Sequence, residues 1–362
     1  MKKLLFLFLI FISFQLYCQS KNKTENIFII TFDGLRWQEL FNGADSLLID
    51  DSGYVEEPEK LVEEFWDIDP LKRREMLMPF FWNVIAKEGQ LYGNRKYGSK
   101  VNCSNHMWFS YPGYNEILSG SADDERINSN DKIPNPNTTV LEYFNNQPSL
   151  KGKVAAFTSW DVFPFIINEE RSGIPVNAGF DCAEGGDLTD REKLLNAMIK
   201  EIRGPWGGVR LDPFTHHYAM EYVKKNSPKV VYIAYGETDD FAHDGEYDQY
   251  LYAARQTDQF IKELWEYVQS HDQYKDKTTF LITTDHGRGT VPKETWKHHG
   301  TRIEGADQIW LAVIGPDTEA KGEIKVEGQL YQKQVAKTAA AFMGLDFSSG
   351  ENTGEVVEAM IK

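Results

Sequence analysis

Cysteine is scarce in this sequence, and long hydrophobic runs are missing beyond its N-terminus. Three cysteines occur in 362 residues. Cys103 and Cys182, which follow the N-terminal segment, lack the Cys-x-x-Cys spacing of cysteine zinc sites. An exported protein can join two such residues in a disulfide, but their spacing does not show whether they meet. Since no segment after residue 20 is long and apolar enough to cross a bilayer, we expect no transmembrane segment after signal removal.

Positive charge is also scarce. The chain has 39 Lys and Arg against 55 Asp and Glu, which gives a formal net charge of −16. A polyanion is repelled on average by such a surface, so we expect no nucleic-acid polymer as a partner. A small phosphorylated substrate is compatible with this charge, because bound divalent cations reverse its sign locally.

The N-terminus has the plan of a secretory signal peptide. In MKKLLFLFLIFISFQLYCQS, two lysines precede an apolar run of leucine, isoleucine and phenylalanine, and small or polar residues follow. We therefore predict a signal peptide over 1–20, cleaved after Ser20, and a periplasmic or secreted mature protein over 21–362. Lipid attachment at Cys18 is the alternative fate of this segment.

Five apolar runs, rich in β-branched residues, predict buried strands. They are NIFIITF (26–32), KVAAFTS (153–159), KVVYIAY (229–235), TTFLITT (278–284) and IWLAVIG (309–315). Continuous apolar runs of this length are typical of strands that are covered on both faces of a sheet.

Helical patterns lie between these strands. They cover 76–89, 188–204, 248–270 and 331–345. The second of them begins with a capping box formed by Thr189 and Glu192. Alternating strands and helices predict an α/β fold, a three-layer α/β/α sandwich with a largely parallel central sheet. The acidic, irregular stretch 42–75 is interpreted as an insertion in a single domain over 21–362.

Side chains that commonly bind metals follow three of the predicted strands. Asp33 follows the first strand, Asp239 and His243 follow the third, and Asp285 and His286 follow the fourth. The segment WKHHGTR then adds His298 or His299. Ligands of open α/β sheets lie beyond the carboxyl ends of the strands. Because carboxylates and neutral imidazoles bind zinc and similar divalent ions, the pattern predicts a metal site there.

This series of motifs resembles the alkaline phosphatase superfamily and is most similar to its nucleotide pyrophosphatase/phosphodiesterase-type branch. That branch has a strand leading into Asp-Gly, a nucleophile motif of the form T-F-P-N-H-Y-x-x-x-T-G, then Asp-x-x-x-His, Asp-His-Gly and a late His-Gly. Here SYPGYNEILSG (110–120) matches the nucleophile motif, with Ser110 in the nucleophile position and Gly113 in place of the family's Asn. Ser104, in the upstream segment CSNH, is the alternative nucleophile.

The resemblance implies two metal sites. One would be formed by Asp239, His243 and His299, and the other by Asp33, Asp285, His286 and the Ser110 oxygen. His299 is preferred to His298 because a glycine follows it. The expected ions are zinc, with manganese or magnesium as alternatives. Metal coordination stabilises a serine alkoxide, and two adjacent ions can hold the attacking and leaving oxygens of a phosphoryl displacement.

The resemblance also implies a polar contact to the phosphoryl group. In this family an asparagine beyond the nucleophile donates to a phosphoryl oxygen. Asn130 lies at the matching distance, with Asn128 as the alternative. Arg36, Arg288 and Lys297 lie near the motifs and are candidates either for neutralising phosphate or for structural roles.

The implied function is an exported two-metal phosphohydrolase that cleaves phosphate monoesters or diesters through a phosphoserine intermediate. A phosphomutase-type relative and a non-catalytic exported protein that binds a metal or ligand on the same scaffold are the alternatives. Sulfatase activity is not expected, because neither CSNHM (103–107) nor SYPGY (110–114) fits the motif C/S-x-P/A-x-R. The composition does not identify the leaving group.

Overall fold

The structure is a computed structural model that describes residues 22–202, 204–350 and 352–362. The predicted signal peptide over 1–20, with Cys18, lies outside the described residues. Within the described part of the chain, no helix has the length and apolar character needed to span a membrane. Cys103 and Cys182 are both free thiols, so they do not form the disulfide that their number allowed.

Eleven strands and thirteen α-helices alternate along the described residues. The strands are Asn26–Phe32 (β1), Gln90–Tyr92 (β2), Ser99–Asn102 (β3), Val154–Thr158 (β4), Val176–Ala178 (β5), Val230–Tyr235 (β6), Thr278–Thr284 (β7), Gln308–Ile309 (β8), Leu311–Ile314 (β9), Gly322–Glu323 (β10) and Gly328–Tyr331 (β11). The helices are Trp37–Asn42 (α1), Pro58–Phe65 (α2), Pro70–Leu77 (α3), Ala86–Glu88 (α4), Ser110–Ser119 (α5), Val140–Asn146 (α6), Phe163–Ile166 (α7), Glu169–Ser172 (α8), Asp190–Glu201 (α9), Asp212–Asn226 (α10), Glu237–Asp244 (α11), Tyr247–Ser270 (α12) and Gln334–Phe342 (α13). Three 3₁₀ turns lie at Arg95–Tyr97, Lys293–Lys297 and Glu358–Met360, and one π-helical segment lies at Phe81–Ile85.

The central sheet has eight strands in the order β10-β2-β9-β7-β1-β6-β4-β5. Seven of these strands run in one direction, and β9 runs antiparallel to both of its neighbours. A second sheet, β11-β3-β8, has three strands. The predicted α/β/α fold with a largely parallel sheet is therefore confirmed.

Alternating residues of the central strands build two hydrophobic cores, one on each face of the sheet. In β1, Phe28, Ile30 and Phe32 belong to one core, while Ile27 and Ile29 belong to the other. Residues of α9, α10 and α12 complete the first core, and residues of α5, α6 and α13 complete the second. Because both faces of β1 are covered by helices, its continuous apolar run is the expected sequence for this position.

Four of the five predicted strands are single strands of the central sheet, and the fifth is divided. The run at 309–315 supplies the end of β8 and then β9, with Trp310 between them. The indole Nε1 of Trp310 donates to the carbonyl oxygen of Leu35 at 2.9 Å, which anchors this break in the core. A periodic pattern cannot reveal such a division, because both halves of the run are buried.

The predicted helix at 76–89 starts later than expected. The helix α3 ends at Leu77, and a new helical segment begins at Pro79, which cannot continue a preceding helix because it lacks an N–H and its ring clashes with the previous turn. The carboxylate of Asp258 accepts hydrogen bonds from the N–H groups of Phe80 and Phe81 at 2.9 and 3.0 Å, and so caps the new segment.

The three strands at the middle of the sheet end at the same level. Phe32, the last residue of β1, is paired with Tyr235 of β6 and with Thr284 of β7, each of which is the last residue of its own strand. The residues that follow these strands therefore meet at one edge of the sheet.

Candidate metal centre

The candidate site lies at this edge, beyond the carboxyl ends of β1, β6 and β7. Asp33 follows β1, and Asp285 and His286 follow β7. After β6 a single glycine leads into α11, which carries Asp239 and His243 one helical turn apart. The sheet thus brings together side chains that are separated by up to about 250 residues in the sequence.

Asp33, Asp285 and His286 form what we call the buried cluster. Nε2 of His286 lies 3.3 Å from Oδ1 of Asp33 and 3.5 Å from Oδ2 of Asp285. All three atoms are inaccessible to solvent, and none has a hydrogen-bond partner among the described residues. Since unpaired buried polar atoms are rare and costly, their convergence on one point fits a bound cation.

The remaining oxygens of the buried cluster are held by their surroundings. Oδ1 of Asp285 accepts from the backbone N–H groups of Gly34 at 3.0 Å and His286 at 2.9 Å. The hydroxyl of Tyr114, on α5, donates to Oδ2 of Asp33 at 3.0 Å. Each carboxylate therefore has one oxygen fixed by the protein and one oxygen directed into the cluster.

Asp239, His243 and His299 form the outer cluster. The Nε2 atoms of the two histidines are 2.9 Å apart, and they lie 3.2 and 3.6 Å from the oxygens of Asp239. Zinc–ligand bonds of about 2.0–2.1 Å in a tetrahedron separate the ligand atoms by roughly 3.3 Å, which is close to these distances. The side chain of His243 is 41% exposed, so this cluster borders solvent. His298 is exposed and is not a member of the cluster, whereas His299 is one.

Backbone carbonyls fix the tautomers of two cluster histidines. Nδ1 of His286 lies 3.0 Å from the carbonyl oxygen of Gly287, and Nδ1 of His299 lies 3.2 Å from that of Trp108. A carbonyl only accepts, so each Nδ1 carries a hydrogen, and in the neutral ring each Nε2 then keeps a lone pair. Those lone pairs face into the two clusters, as metal ligation requires.

The two clusters adjoin one another but differ in their electrostatics. Oδ1 of Asp239 lies 3.7 Å from Nε2 of His286, and the rings of His286 and His299 stack with their centroids 4.0 Å apart. In the metal-free protein, burial and repulsion by neighbouring aspartates hold the pKa values of Asp33 and Asp285 well above their usual range. Burial also acts to raise the pKa of Asp239, but attraction by Arg288 and the cluster histidines outweighs it and lowers that pKa.

Ser110 is the first residue of α5, and neighbouring residues contact both clusters. Two residues before Ser110, the carbonyl of Trp108 meets His299, and one turn after it Tyr114 meets Asp33. Ser110 is buried, and it lies at the end of a ten-residue helix where partial positive charge accumulates. Such a position favours an anionic phosphate group beside this serine.

Comparison with known proteins identifies the family. The model of the type I phosphodiesterase/nucleotide pyrophosphatase family matches residues 50–343, well over half of the chain. The chain belongs to this family. The matched segment contains every predicted metal ligand except Asp33, which precedes it. No curated protein matches the sequence at a significant level.

This phosphodiesterase-family chain shares its fold with solved structures of the alkaline phosphatase superfamily, the superfamily that its motifs resemble. The alkaline phosphatase PafA superposes with a TM-score of 0.60 at 10% identity and covers 94% of this chain and 99% of its own. The phosphonate monoester hydrolase of Agrobacterium radiobacter gives a TM-score of 0.58 at 10% identity, with coverage of 93% and 77%. The 2-O GAG sulfatase BT1596 gives 0.57 at 10% identity, with coverage of 93% and 74%. At these identities the likeness concerns the fold.

Two glycines allow segments of the metal centre to pack closely against one another. At Gly113, which replaces the family's asparagine, an added Cβ would overlap the carbonyl oxygen of Asp285. Gly34 has φ +60°, and an added Cβ would lie 2.8 Å from Oδ1 of Asp239 and 3.0 Å from Cε1 of His286. The glycine that replaces the family's asparagine at position 113 thus lets α5 pack directly against the end of β7.

The structure distinguishes the two asparagines proposed for phosphate contact. Oδ1 of Asn130 accepts from the backbone N–H of Tyr111 at 3.0 Å, beside the candidate nucleophile. Its amide nitrogen has no hydrogen-bond partner among the described residues. Asn128 donates instead to the carbonyl of Glu125 at 3.3 Å. Asn130 therefore contacts the residue after Ser110, whereas Asn128 bonds within its own loop.

Ser104, the alternative nucleophile, lies in a different environment. Its backbone N–H donates to the carboxylate of Glu116 at 2.8 Å, more than one turn along α5 from Ser110. Its hydroxyl oxygen is buried without a hydrogen-bond partner among the described residues. Trp108 and Tyr114, on either side of Ser110, contact the outer and the buried cluster, and Ser110 stays the predicted nucleophile.

The three basic residues near the motifs are engaged within the protein. Arg36 is buried in an ion pair with Glu39. Arg288 is buried and forms an ion pair with Asp239 of the outer cluster. The ammonium of Lys297 lies 5.8 Å from the centre of a tyrosine ring. The contacts of both arginines favour their structural alternative over contact with phosphate.

Sequence reasoning did not identify the residues that support the clusters. Tyr114 is four residues after Ser110, and helical spacing could have placed it on the face that meets Asp33. Trp108 has an unusual positive φ of 51°, and its carbonyl orients His299. No local sequence pattern predicts the contact between Trp108 and His299, because it depends on how the loop that carries His299 packs against the rest of the fold.

Proposed function

We propose that the protein is an exported two-metal phosphohydrolase that cleaves phosphate monoesters or diesters through a phosphoserine formed at Ser110. The observation that carries the proposal is the pair of adjoining ligand clusters next to the N-terminus of α5. In the buried cluster three ligand atoms converge without hydrogen-bond partners among the described residues. Hydrogen bonds between the described residues leave these three atoms without partners, and one divalent cation would bind all three.

The ligand atoms suit zinc, with manganese or magnesium as alternatives. Asp33, Asp285, His286 and the Ser110 oxygen would hold one ion, and Asp239, His243 and His299 would hold the other. Both sets combine carboxylate oxygen with imidazole nitrogen, the donors that zinc and manganese accept. When bound, the ions would supply positive charge that stabilises a serine alkoxide and the charge developing on the phosphoryl oxygens.

The chain's own residues would carry the following roles. Oγ of Ser110 gives its proton to water and forms a bond to phosphorus, while the bond to the leaving-group oxygen breaks. That oxygen departs with the electron pair and takes a proton from water. Water then attacks the phosphoserine, which releases phosphate or a phosphate monoester and restores the hydroxyl. The amide nitrogen of Asn130 donates to a phosphoryl oxygen, since its own oxygen is held by the N–H of Tyr111.

The substrate would be a small phosphorylated compound outside the cytoplasm. The net charge of −16 opposes binding of a nucleic-acid polymer, whereas two bound ions would make the site itself attractive to a phosphate group. The N-terminal segment over 1–20, with its lysines and apolar run, supports export to the periplasm or secretion.

Replacement of Ser110 tests the proposal directly. Ser110→Ala removes one oxygen and should leave the fold and at least one metal ion in place. Turnover of p-nitrophenyl phosphate and bis-p-nitrophenyl phosphate should fall by about 10³-fold or more, roughly 4 kcal/mol of barrier, because the covalent route is closed. Ser104→Ala is the matched control, and its effect should stay below about tenfold, roughly 1.4 kcal/mol.

Labelled phosphate should be trapped on the wild-type peptide that contains SYPGYNEILSG. The opposite result, with Ser104 essential and Ser110 dispensable, would move the nucleophile and contradict the role of Asn130. Elemental analysis of protein purified without chelators should find two transition-metal ions per chain. A protein that binds two ions but hydrolyses neither ester would instead fit the non-catalytic alternative.

A further inference from the structure

Arg288 connects three segments of the metal centre from inside the protein. Its side chain is fully buried, at 0% exposure. One terminal nitrogen of the guanidinium bonds to the carboxylate and, at 3.0 Å, to the carbonyl of Asp239. The other donates to the carbonyl of Lys297 at 2.8 Å, and Nε donates to the carbonyl of Gly34 at 3.2 Å. A planar guanidinium can reach these acceptors together because its five donors are fixed in a fork.

Three of these four contacts lie at the outer cluster, and the fourth, to Gly34, lies beside the buried cluster. Asp239 is itself one of its ligands, and Lys297 lies two residues before His299. Arg288 therefore links helix α11, which carries Asp239, to the loop after the 3₁₀ turn Lys293–Lys297, which carries His299. The two elements are about 60 residues apart in the sequence and have no strand pairing to align them.

The buried cluster is held mainly by contacts other than those of Arg288, whose one bond there is from Nε to the carbonyl of Gly34. Backbone N–H groups of Gly34 and His286 fix Asp285, and Tyr114 fixes Asp33. In the outer cluster, by contrast, Arg288 is the one non-histidine cation that pairs with Asp239 among the described residues. Loss of the arginine should consequently affect one cluster far more than the other.

We propose that Arg288 is a positioning residue for a divalent cation in the outer cluster and has little influence on the cation of the buried cluster. This inference rests on the two-metal site of the proposed function. Arg288 does not contact substrate, because its guanidinium is enclosed and its donors bond to protein oxygens. Its part is to keep the carboxylate of Asp239 and the loop before His299 at the spacing that one ion requires.

The test is zinc titration of metal-free protein against a chromogenic chelator, which gives stoichiometry and affinity without any activity assay. The wild type should bind two zinc ions. Arg288→Met should keep one ion at wild-type affinity and bind the second about 10–100-fold more weakly, the usual effect of losing support behind a ligand. Arg288→Lys keeps the charge but lacks the planar guanidinium. Its affinity for the second zinc ion should lie between those of the wild type and Arg288→Met.

Arg36→Met is the matched control, because Arg36 is also a buried, ion-paired arginine but its carboxylate partners, Glu39 and Asp45, are not cluster residues. It should retain two ions at wild-type affinity even if the protein is less stable. If Arg288→Met does not fold, as judged by circular dichroism, Arg288→Lys decides by the same titration. A folded Arg288 variant that keeps both ions at wild-type affinity, or loses both together, overturns the inference. A wild type that binds fewer than two ions contradicts the proposed function instead.

Discussion

The two ligand clusters are built from similar side chains but are held in different ways. In the buried cluster, Asp33 and Asp285 are the first residues beyond adjacent parallel strands, and His286 is the next residue along. In the outer cluster, Asp239 and His243 come from a helix and His299 comes from a loop. The sheet register therefore positions the first cluster, whereas tertiary contacts position the second.

The buried and outer clusters also differ in burial and in charge. All three residues of the buried cluster are shielded, and the pKa values of Asp33 and Asp285 are raised by burial and repulsion. The outer cluster borders solvent, and Arg288 helps to lower the pKa of Asp239. A cation thus has more unfavourable charge to relieve in the buried cluster, so we expect that cluster to hold its ion more tightly.

The largest effect should come from removing a carboxylate of the buried cluster. Asp285→Ala leaves the ion with Asp33, His286 and the Ser110 oxygen alone and removes one of its two carboxylates. The ion should therefore be lost, and turnover should fall by about 10³-fold or more, roughly 4 kcal/mol. Elemental analysis and hydrolysis of p-nitrophenyl esters check this. Asp317→Ala, which removes a buried carboxylate bonded to Thr24, is a control that should keep both ions. Wild-type turnover in Asp285→Ala would mean that the Asp-His-Gly assignment is wrong.

A smaller effect is expected in the outer cluster. His299→Ala should lose the outer ion and reduce turnover by about 10²-fold, since the buried ion and Ser110 stay in place. His298→Ala changes the adjacent, exposed histidine and should alter turnover less than twofold, about 0.4 kcal/mol. Steady-state kinetics with both variants compares the two positions. Equal losses of turnover in the two variants would contradict the assignment of His299, rather than His298, to the outer cluster.

The difference between the clusters also explains how far the sequence could predict the site. Asp33, Asp285 and His286 could be found because apolar strands run directly into them, and strand register then brings them together. Asp239 and His243 share a helical turn, but only the family resemblance connected them with His299. The local pattern identifies ligands, and it does not show which ligands share an ion.

Helical spacing could suggest the face on which Tyr114 lies, but the partners of the supporting residues could not be predicted from the sequence, for a physical reason. Tyr114, Trp108 and Arg288 act through bonds to residues far away in the chain, and their positions depend on the packed fold. The same limit applies to the fold. The alternation of strands and helices predicted the three layers, but the reversal of β9 and the interruption at Trp310 are set by neighbours rather than by periodicity.

The smallest effect concerns the pH dependence of stability in metal-free protein, where the two clusters should behave oppositely. Burial, followed by repulsion from Asp33, raises the pKa of Asp285 above its ordinary value of 3.8. A raised folded-state pKa contributes stability that is present below 3.8 and lost as the pH rises through the folded value. For Asp239 the folded-state pKa is lowered, so its contribution is present above 3.8 and lost as the pH falls through the folded value.

Asparagine substitutions should expose this opposition, because they remove the ionisation while keeping the shape. With a chelator present, Asp285→Asn should gain melting temperature relative to the wild type as the pH rises from about 4 to about 8. Asp239→Asn should lose melting temperature relative to the wild type over a lower range, as the pH rises from about 2 to about 4. Thermal unfolding followed by circular dichroism measures both differences. Added zinc should reverse the sign for Asp285→Asn, since the wild type then gains the free energy of binding an ion that the variant has lost. If both variants shift in the same direction without metal, the two carboxylates do not differ in the way that their surroundings indicate.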